Sequence, residues 1–200
     1  HEYGYPELRD GDIGRTGEQG ECPYCFFTEQ KRKIVSVFNI VLVEPEIPQN
    51  TGNVVRTCAA TGCRLHLVRP LGFEVSDKYL KRAGLDYWHY VEIVYYDSLS
   101  DFLDKTKGAR LFFFSSKARR AHSEAQYREG DFLVFGKETA GLPEELLLAH
   151  AEDCVRIPMR EGVRCLNLSN SVAVAVYEAL RQQDYAGLSA AGELHRLHWE

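Results

Sequence analysis

At 200 residues and 22.8 kDa, with 44% hydrophobic, 26% charged and 12% aromatic residues, the chain is sized for one globular domain with a substantial core, which excludes collagen-like, mucin-like and wholly disordered classes. Twenty-four Lys and Arg against 29 Asp and Glu leave a net charge of −5 and a pI near 5.8, so a polyanionic partner must be held by local patches rather than by a global basic field. The longest strongly apolar stretches, such as Phe132 to Phe135 and Val172 to Val176, fall far short of the roughly 18 residues of a membrane span; with no signal-peptide pattern at the start, a cytoplasmic protein without membrane contact is expected.

Residues His1 to Ser36 are rich in Gly, Glu, Asp and Arg and follow neither a helical nor a strand period, which predicts a disordered or loosely packed extension. The chain opens on His1 and holds one methionine, Met159; a fragment, a processed product and a start set ahead of the true one near Val35 to Val37 are the alternatives. Cys22-Pro-Tyr-Cys25 has the spacing of a dithiol or half a zinc site, but no βαβ frame surrounds it and no second ligand pair is evident. The six cysteines, Cys22, Cys25, Cys58, Cys63, Cys154 and Cys165, are read as reduced thiols, with no metal site.

From residue 37 to 183, β-branched and aromatic runs alternate with helical patterns, the signature of an α/β protein with a largely parallel sheet flanked by helices. Strands are predicted at Phe38 to Val43, Arg64 to Val68, Val91 to Tyr95, Arg110 to Phe114, Asp131 to Phe135 and Cys154 to Ile157. Helices are predicted at Thr51 to Thr61, Asp77 to Ala83, Ser98 to Lys105, Pro143 to Ala149 and Leu168 to Gln182. Asn50 is the expected cap of the first, Gly62 and Gly84 the expected ends of the first two, and Pro143 suits a first helical turn. Residues 184–200 read as a tail or a short terminal helix.

Three constellations stand at strand-to-helix junctions, where open α/β sheets bind ligands. The first runs from Glu44-Pro-Glu-Ile-Pro48 through Asn50, Gly52 and Asn53 to Arg56; it lacks the P-loop pattern, and no Gly-x-Gly-x-x-Gly follows the first strand, which disfavours a dinucleotide oxidoreductase. The second, Phe135-Gly-Lys-Glu-Thr-Ala-Gly-Leu-Pro143, combines glycines that let a backbone approach a ligand with a carboxylate, Glu138. In the third, Asn167-Leu-Ser-Asn170 feeds a small-residue helix. Each alone reads equally as caps and turns.

In that order, Asn50-x-Gly-x-x-x-Arg56, Phe135-Gly-x-Glu-x-x-Gly-Leu-Pro143 and Asn167-Leu-Ser-Asn-Ser-Val-Ala-Val-x-x-Tyr-Glu178 resemble the three motifs of the SPOUT class of RNA 2′-O-ribose methyltransferases. Glu44-Pro-Glu-Ile-Pro48 and Arg82-Ala-Gly-Leu-Asp-Tyr87 are similar to its TrmL (YibK-like) branch, which methylates the wobble nucleotide, cytidine or uridine 34, of certain leucine tRNAs. The resemblance covers Phe38 to Gln182. It implies an α/β-knot fold with a C-terminal deep trefoil knot, a homodimer, and S-adenosylmethionine bound by knot loops at Phe114 to Lys117, Phe135 to Leu142 and Ile157 to Asn167. Phe114, Gly136, Ile157 and Cys165 match the family's cofactor contacts, with Leu142 and Leu166 beside them; Cys165 stands where Ser is frequent.

The resemblance makes Arg56 catalytic. A guanidinium is a poor proton acceptor in water, so Arg56 is expected to stabilise the charge developing on the ribose oxygen, with Asn50 and Glu138 orienting it and Asn167 shaping the methyl end of the pocket. Lys78, Lys81 and Arg82 on one predicted helical face, and Lys117, Arg119 and Arg120 after a strand, are candidate contacts to tRNA phosphates. Ala173, Val174, Ala175 and Val176 are apolar on more than one face of the last helix, which predicts that it and the first helix form the dimer interface. A ribosomal-RNA methyltransferase of the same class and a non-catalytic S-adenosylmethionine-binding RNA module are the competing readings.

Overall fold

The computed structural model describes residues 38–75 and 87–199. Among these, seven strands form one parallel sheet: β1 (Asn39–Val43), β2 (Arg64–Val68), β3 (Ile93–Tyr96), β4 (Leu111–Phe114), β5 (Arg120–Ala121), β6 (Phe132–Phe135) and β7 (Cys154–Arg156). Their order is β3-β2-β1-β6-β4-β7-β5. The α-helices are α1 (Pro48–Thr61), α2 (Leu99–Lys105), α3 (Glu144–Ala149) and α4 (Leu168–Arg181).

Side chains alternate across a strand, and here both faces are covered, so the strands read as continuous apolar runs. Ile40 and Leu42 of β1 pack in one cluster with Val54 and Val55 of α1 and Val172 and Val176 of α4. Val41 and Val43 pack in the other with Phe102 of α2, and Leu146 of α3 lies against it. From β1 the chain moves one way to β2 and β3, while β6 pairs on β1's other side. A crevice at the C-terminal ends of β1 and β6 is the place where such a sheet binds a ligand.

The predicted strands recur with ends moved by one or two residues, and the predicted α2, α3 and α4 segments are helical. β5 was not anticipated, since two residues carry no period. Helix α1 begins at Pro48, whose ring suits a first turn, so Asn50 lies inside the helix and is not its cap. Gly62 ends α1 in the left-handed conformation, φ 73°. Asn167 caps α4, its side chain accepting from the amides of Ser169 and Asn170. Residues 184–199 form turns and bends rather than a helix. The predicted helix Asp77 to Ala83, Gly84, the extension 1–36 and the Cys22 and Cys25 pair lie outside the described residues.

Candidate active site

A cavity of about 400 Å³, within the size range of small-molecule sites, opens at the C-terminal ends of β4, β6 and β7. Segments 114–117, 135–142 and 157–168 supply most of its wall. Phe114 and Phe135, neighbours in the sheet, stack with ring centroids 4.6 Å apart. Gly136 is required by space: a Cβ there would stand 2.1 Å from the Gly141 carbonyl carbon and 2.3 Å from the Leu142 nitrogen. The loop closes on itself at that point, and Gly141, at φ 70°, donates its amide to the Lys137 carbonyl at 2.9 Å.

The polar side of the cavity is a directed chain of hydrogen bonds. Asn167 Nδ2 donates to Asn50 Oδ1 at 2.9 Å, and Asn50 Nδ2 donates to Glu138 Oε1 at 2.8 Å. Glu138 also accepts the amides of Glu46 at 2.8 Å and Ile47 at 3.3 Å. Ile47 holds the N-cap position of α1 with no side-chain cap of its own, so a carboxylate from the second motif stands where the positive end of the helix needs an acceptor. This bond set explains why Asn50 belongs inside the first turn: it is buried and bridges the two other motifs.

The cavity brings together Asn50, Glu138, Asn167, Phe114, Gly136, Leu142, Ile157, Cys165, Leu166 and Lys117. Arg56 is not in its wall. It lies six residues past Asn50, about 120° around the helix and about 9 Å along it, exposed, with its guanidinium 5.0 Å from the Tyr87 ring centroid. Within this chain Asn50 and Glu138 bond to each other rather than to Arg56. Lys117, Arg119 and Arg120 line a second cavity together, with Glu144 and Glu152 beside them. Lys117 pairs with Glu144 at 2.6 Å, which lowers the Glu144 carboxyl below its usual range; Arg120 also lines a further cavity with Glu124 and Asp153, and Arg119 is exposed. Lys78, Lys81 and Arg82 lie outside the described residues.

Sequence reasoning gave no role to several residues at the site. Lys137 pairs with Glu44 at 2.8 Å, which raises the lysine, and Thr139 bonds Glu46 through its amide and hydroxyl. Glu44 has φ 50°, a left-handed conformation that costs a non-glycine residue about 1–2 kcal/mol; it turns the chain sharply out of β1. Arg164 also lines the cavity, and among the described residues no carboxylate pairs with it. Cys58, Cys63 and Cys154 are buried thiols and Cys165 an exposed one.

The model of the SpoU rRNA methylase family matches residues 37–177. The chain belongs to that family. A curated relative from Saccharophagus degradans, named tRNA (cytidine(34)-2′-O)-methyltransferase, is 51% identical over 152 residues, covering 76% of this chain and 99% of the relative. A solved structure described as "Structural insights into the 2-OH methylation of C/U34 on tRNA" superposes with TM-score 0.71 at 51% identity, over 76% of this chain and 99% of that one. An AdoMet-bound rRNA methyltransferase from Sinorhizobium meliloti superposes with TM-score 0.64 at 25% identity, over 72% of this chain and 56% of that one. The sheet and its flanking helices are accordingly those of the α/β-knot methyltransferases. Among the described residues no helix is long and apolar enough to cross a membrane.

Proposed function

We propose that this member of the SpoU family is an S-adenosylmethionine-dependent tRNA 2′-O-ribose methyltransferase acting as a cytoplasmic homodimer on the wobble nucleotide, cytidine or uridine 34, of leucine tRNAs. The observation that carries the reading is the convergence of three motifs, with Asn50 of the first and Glu138 of the second 88 residues apart, on one cavity through the Asn167, Asn50 and Glu138 bonds. The names of the half-identical relatives supply the nucleotide and the RNA class.

The residues present suit the cofactor. The wall offers apolar side chains, Phe114, Leu142, Ile157 and Leu166, around a loop that Gly136 allows to close tightly on its own backbone at Gly141 and Leu142. Those residues, with Gly136 and Cys165, would hold S-adenosylmethionine, which supplies the methyl group as a sulfonium substituent when bound. Asn167 would close the polar end. Methyl transfer needs the ribose oxygen in line with the departing sulfur and its growing negative charge stabilised. Arg56 is assigned that stabilisation. Since its guanidinium lies outside its own chain's cavity, it is assigned to the cavity of the second subunit.

A second copy has a surface to meet. On α4, Val174 is 41% and Tyr177 47% exposed, one turn apart, while Val172, Ala175, Val176 and Ala179 are fully buried against the chain's own core. The outward stripe suits a two-fold partner. For RNA, Arg164 at the cavity, Arg119 and Arg120, and Lys78, Lys81 and Arg82 are the assigned phosphate contacts; Lys117, neutralised by Glu144, is the weakest of them.

The test is incubation of the purified protein with S-adenosylmethionine and unmodified leucine tRNA transcripts, followed by mass spectrometry of the ribose-methylated nucleosides. Methylation confined to position 34 is expected. Methylation of ribosomal RNA fragments and none of tRNA would overturn the assignment.

A further inference from the structure

The segment Glu44-Pro-Glu-Ile-Pro48 has no place in the chemistry described so far, yet it contacts the cavity loop residue by residue. Pro45 and Pro48 have no N–H to give. The two amides between them, Glu46 and Ile47, both point at the Glu138 carboxylate, at 2.8 and 3.3 Å. In return the Glu46 carboxylate accepts the Thr139 amide at 3.1 Å and the Thr139 hydroxyl at 2.8 Å, through the same oxygen. Two residues earlier in each segment, Lys137 pairs with Glu44 at 2.8 Å. Three consecutive residues of the loop are thus each bound by this segment, and each glutamate accepts a backbone amide of the other's segment, Glu138 from Glu46 and Glu46 from Thr139, in a reciprocal clasp.

The clasp has a firm back. The Gly72 amide donates to the Pro45 carbonyl at 2.9 Å, and a Cβ on Gly72 would stand 2.7 Å from Glu46 Cα. Neither Glu44 nor Glu46 lines the cavity, whereas Lys137, Glu138 and Thr139 all do. We propose that Glu46 is a positioning residue for the methyl donor: through Thr139 it holds the loop 136–142 in the shape that makes the wall of the cofactor cavity, so that affinity for the donor depends on a carboxylate that never touches it. The proposal rests on the cavity being the S-adenosylmethionine site.

Binding of S-adenosylhomocysteine, measured by calorimetry on the full chain, tests it together with KM for S-adenosylmethionine, KM for tRNA and the melting temperature. Loss of a charge-assisted bond pair that shapes a ligand site weakens binding by about tenfold. Glu46→Ala is expected to raise Kd and the donor KM by about that factor, to leave the tRNA KM within twofold, and to keep the wild-type melting transition. Thr139→Ser, which retains both donors, is expected to bind as wild type, and Thr139→Val, which keeps only the amide, to fall between. Wild-type affinity in Glu46→Ala overturns the positioning role; if that variant does not fold, equal affinity of Thr139→Val and wild type overturns it. Failure of the unaltered protein to bind S-adenosylhomocysteine overturns the reading of the cavity, and this inference with it.

Discussion

Asn50 and Arg56 share one motif and one helix but serve different surfaces. Asn50 uses its carbonyl for Asn167 and its amide for Glu138, so its work is to tie motifs together inside one chain. Arg56, free of the cavity wall and resting over Tyr87, is available to a reacting group from outside. A group that binds only developing charge contributes to turnover and not to donor binding. Arg56→Ala and Arg56→Lys are therefore expected to lower kcat by on the order of a hundredfold while S-adenosylhomocysteine binds as in wild type. Single-turnover methylation of tRNA with parallel calorimetry checks this. A fully active lysine variant would refute the geometric part of the argument, since an ammonium supplies charge without the planar fork of donors.

Helix α4 shows where sequence pattern stops. Its run of small apolar residues signals burial on two sides, but only packing decides which residues face which side. Ala175 and Val176 proved to be core, and Val174 and Tyr177 the outward stripe. A charge at Ala175 would enter a site with no exposure and is expected to unfold the protein. Val174→Arg is expected to fold, to scatter light as a monomer at micromolar concentration and to lose tRNA methylation. A dimeric, active Val174→Arg protein would remove α4 from the interface. The strands were legible because sheets covered on both faces leave continuous β-branched and aromatic runs, and the three motifs because glycine and asparagine mark strand-to-helix junctions. The helix start at Pro48 was misread because the acceptor that replaces a local cap is Glu138, 91 residues from Ile47 in the chain. A pairing of that range leaves no local signal, and neither does the bond between Thr139 and Glu46, 93 residues apart.

The sheet as a whole carries a buried polar row that bears on stability rather than chemistry. Asn39 of β1, His66 of β2 and Tyr96 of β3 run diagonally across the sheet, His66 lying opposite Val41 and Val94: His66 Nε2 is 3.1 Å from Asn39 Oδ1 and Nδ1 is 3.0 Å from the Tyr96 hydroxyl. Asn39 Nδ2 donates to the Gly130 carbonyl at 2.9 Å, so its Oδ1 accepts from His66, and the other ring nitrogen accepts from Tyr96. The neutral ring is fully satisfied in this arrangement, and a second ring proton would face a hydroxyl already donating to it. Burial first, and the Arg64 guanidinium second, hold His66 down at about 4, from 6.5. The folded state then refuses a proton that the unfolded chain accepts, so stability is complete above pH 6.5 and falls as pH drops from there toward 4. The loss attributable to His66 is about 2 kcal/mol at pH 4.5 relative to pH 7.5. Buried Asp131, raised by desolvation, works in the opposite direction in the carboxylate range, so the comparison must be made against a variant that differs only at position 66. Urea denaturation at both pH values is expected to show wild type losing about 2 kcal/mol more than His66→Gln, whose amide keeps one donor and one acceptor without titrating. Parallel losses in the two proteins would mean that the imidazole is protonated in the fold and that the row is arranged otherwise.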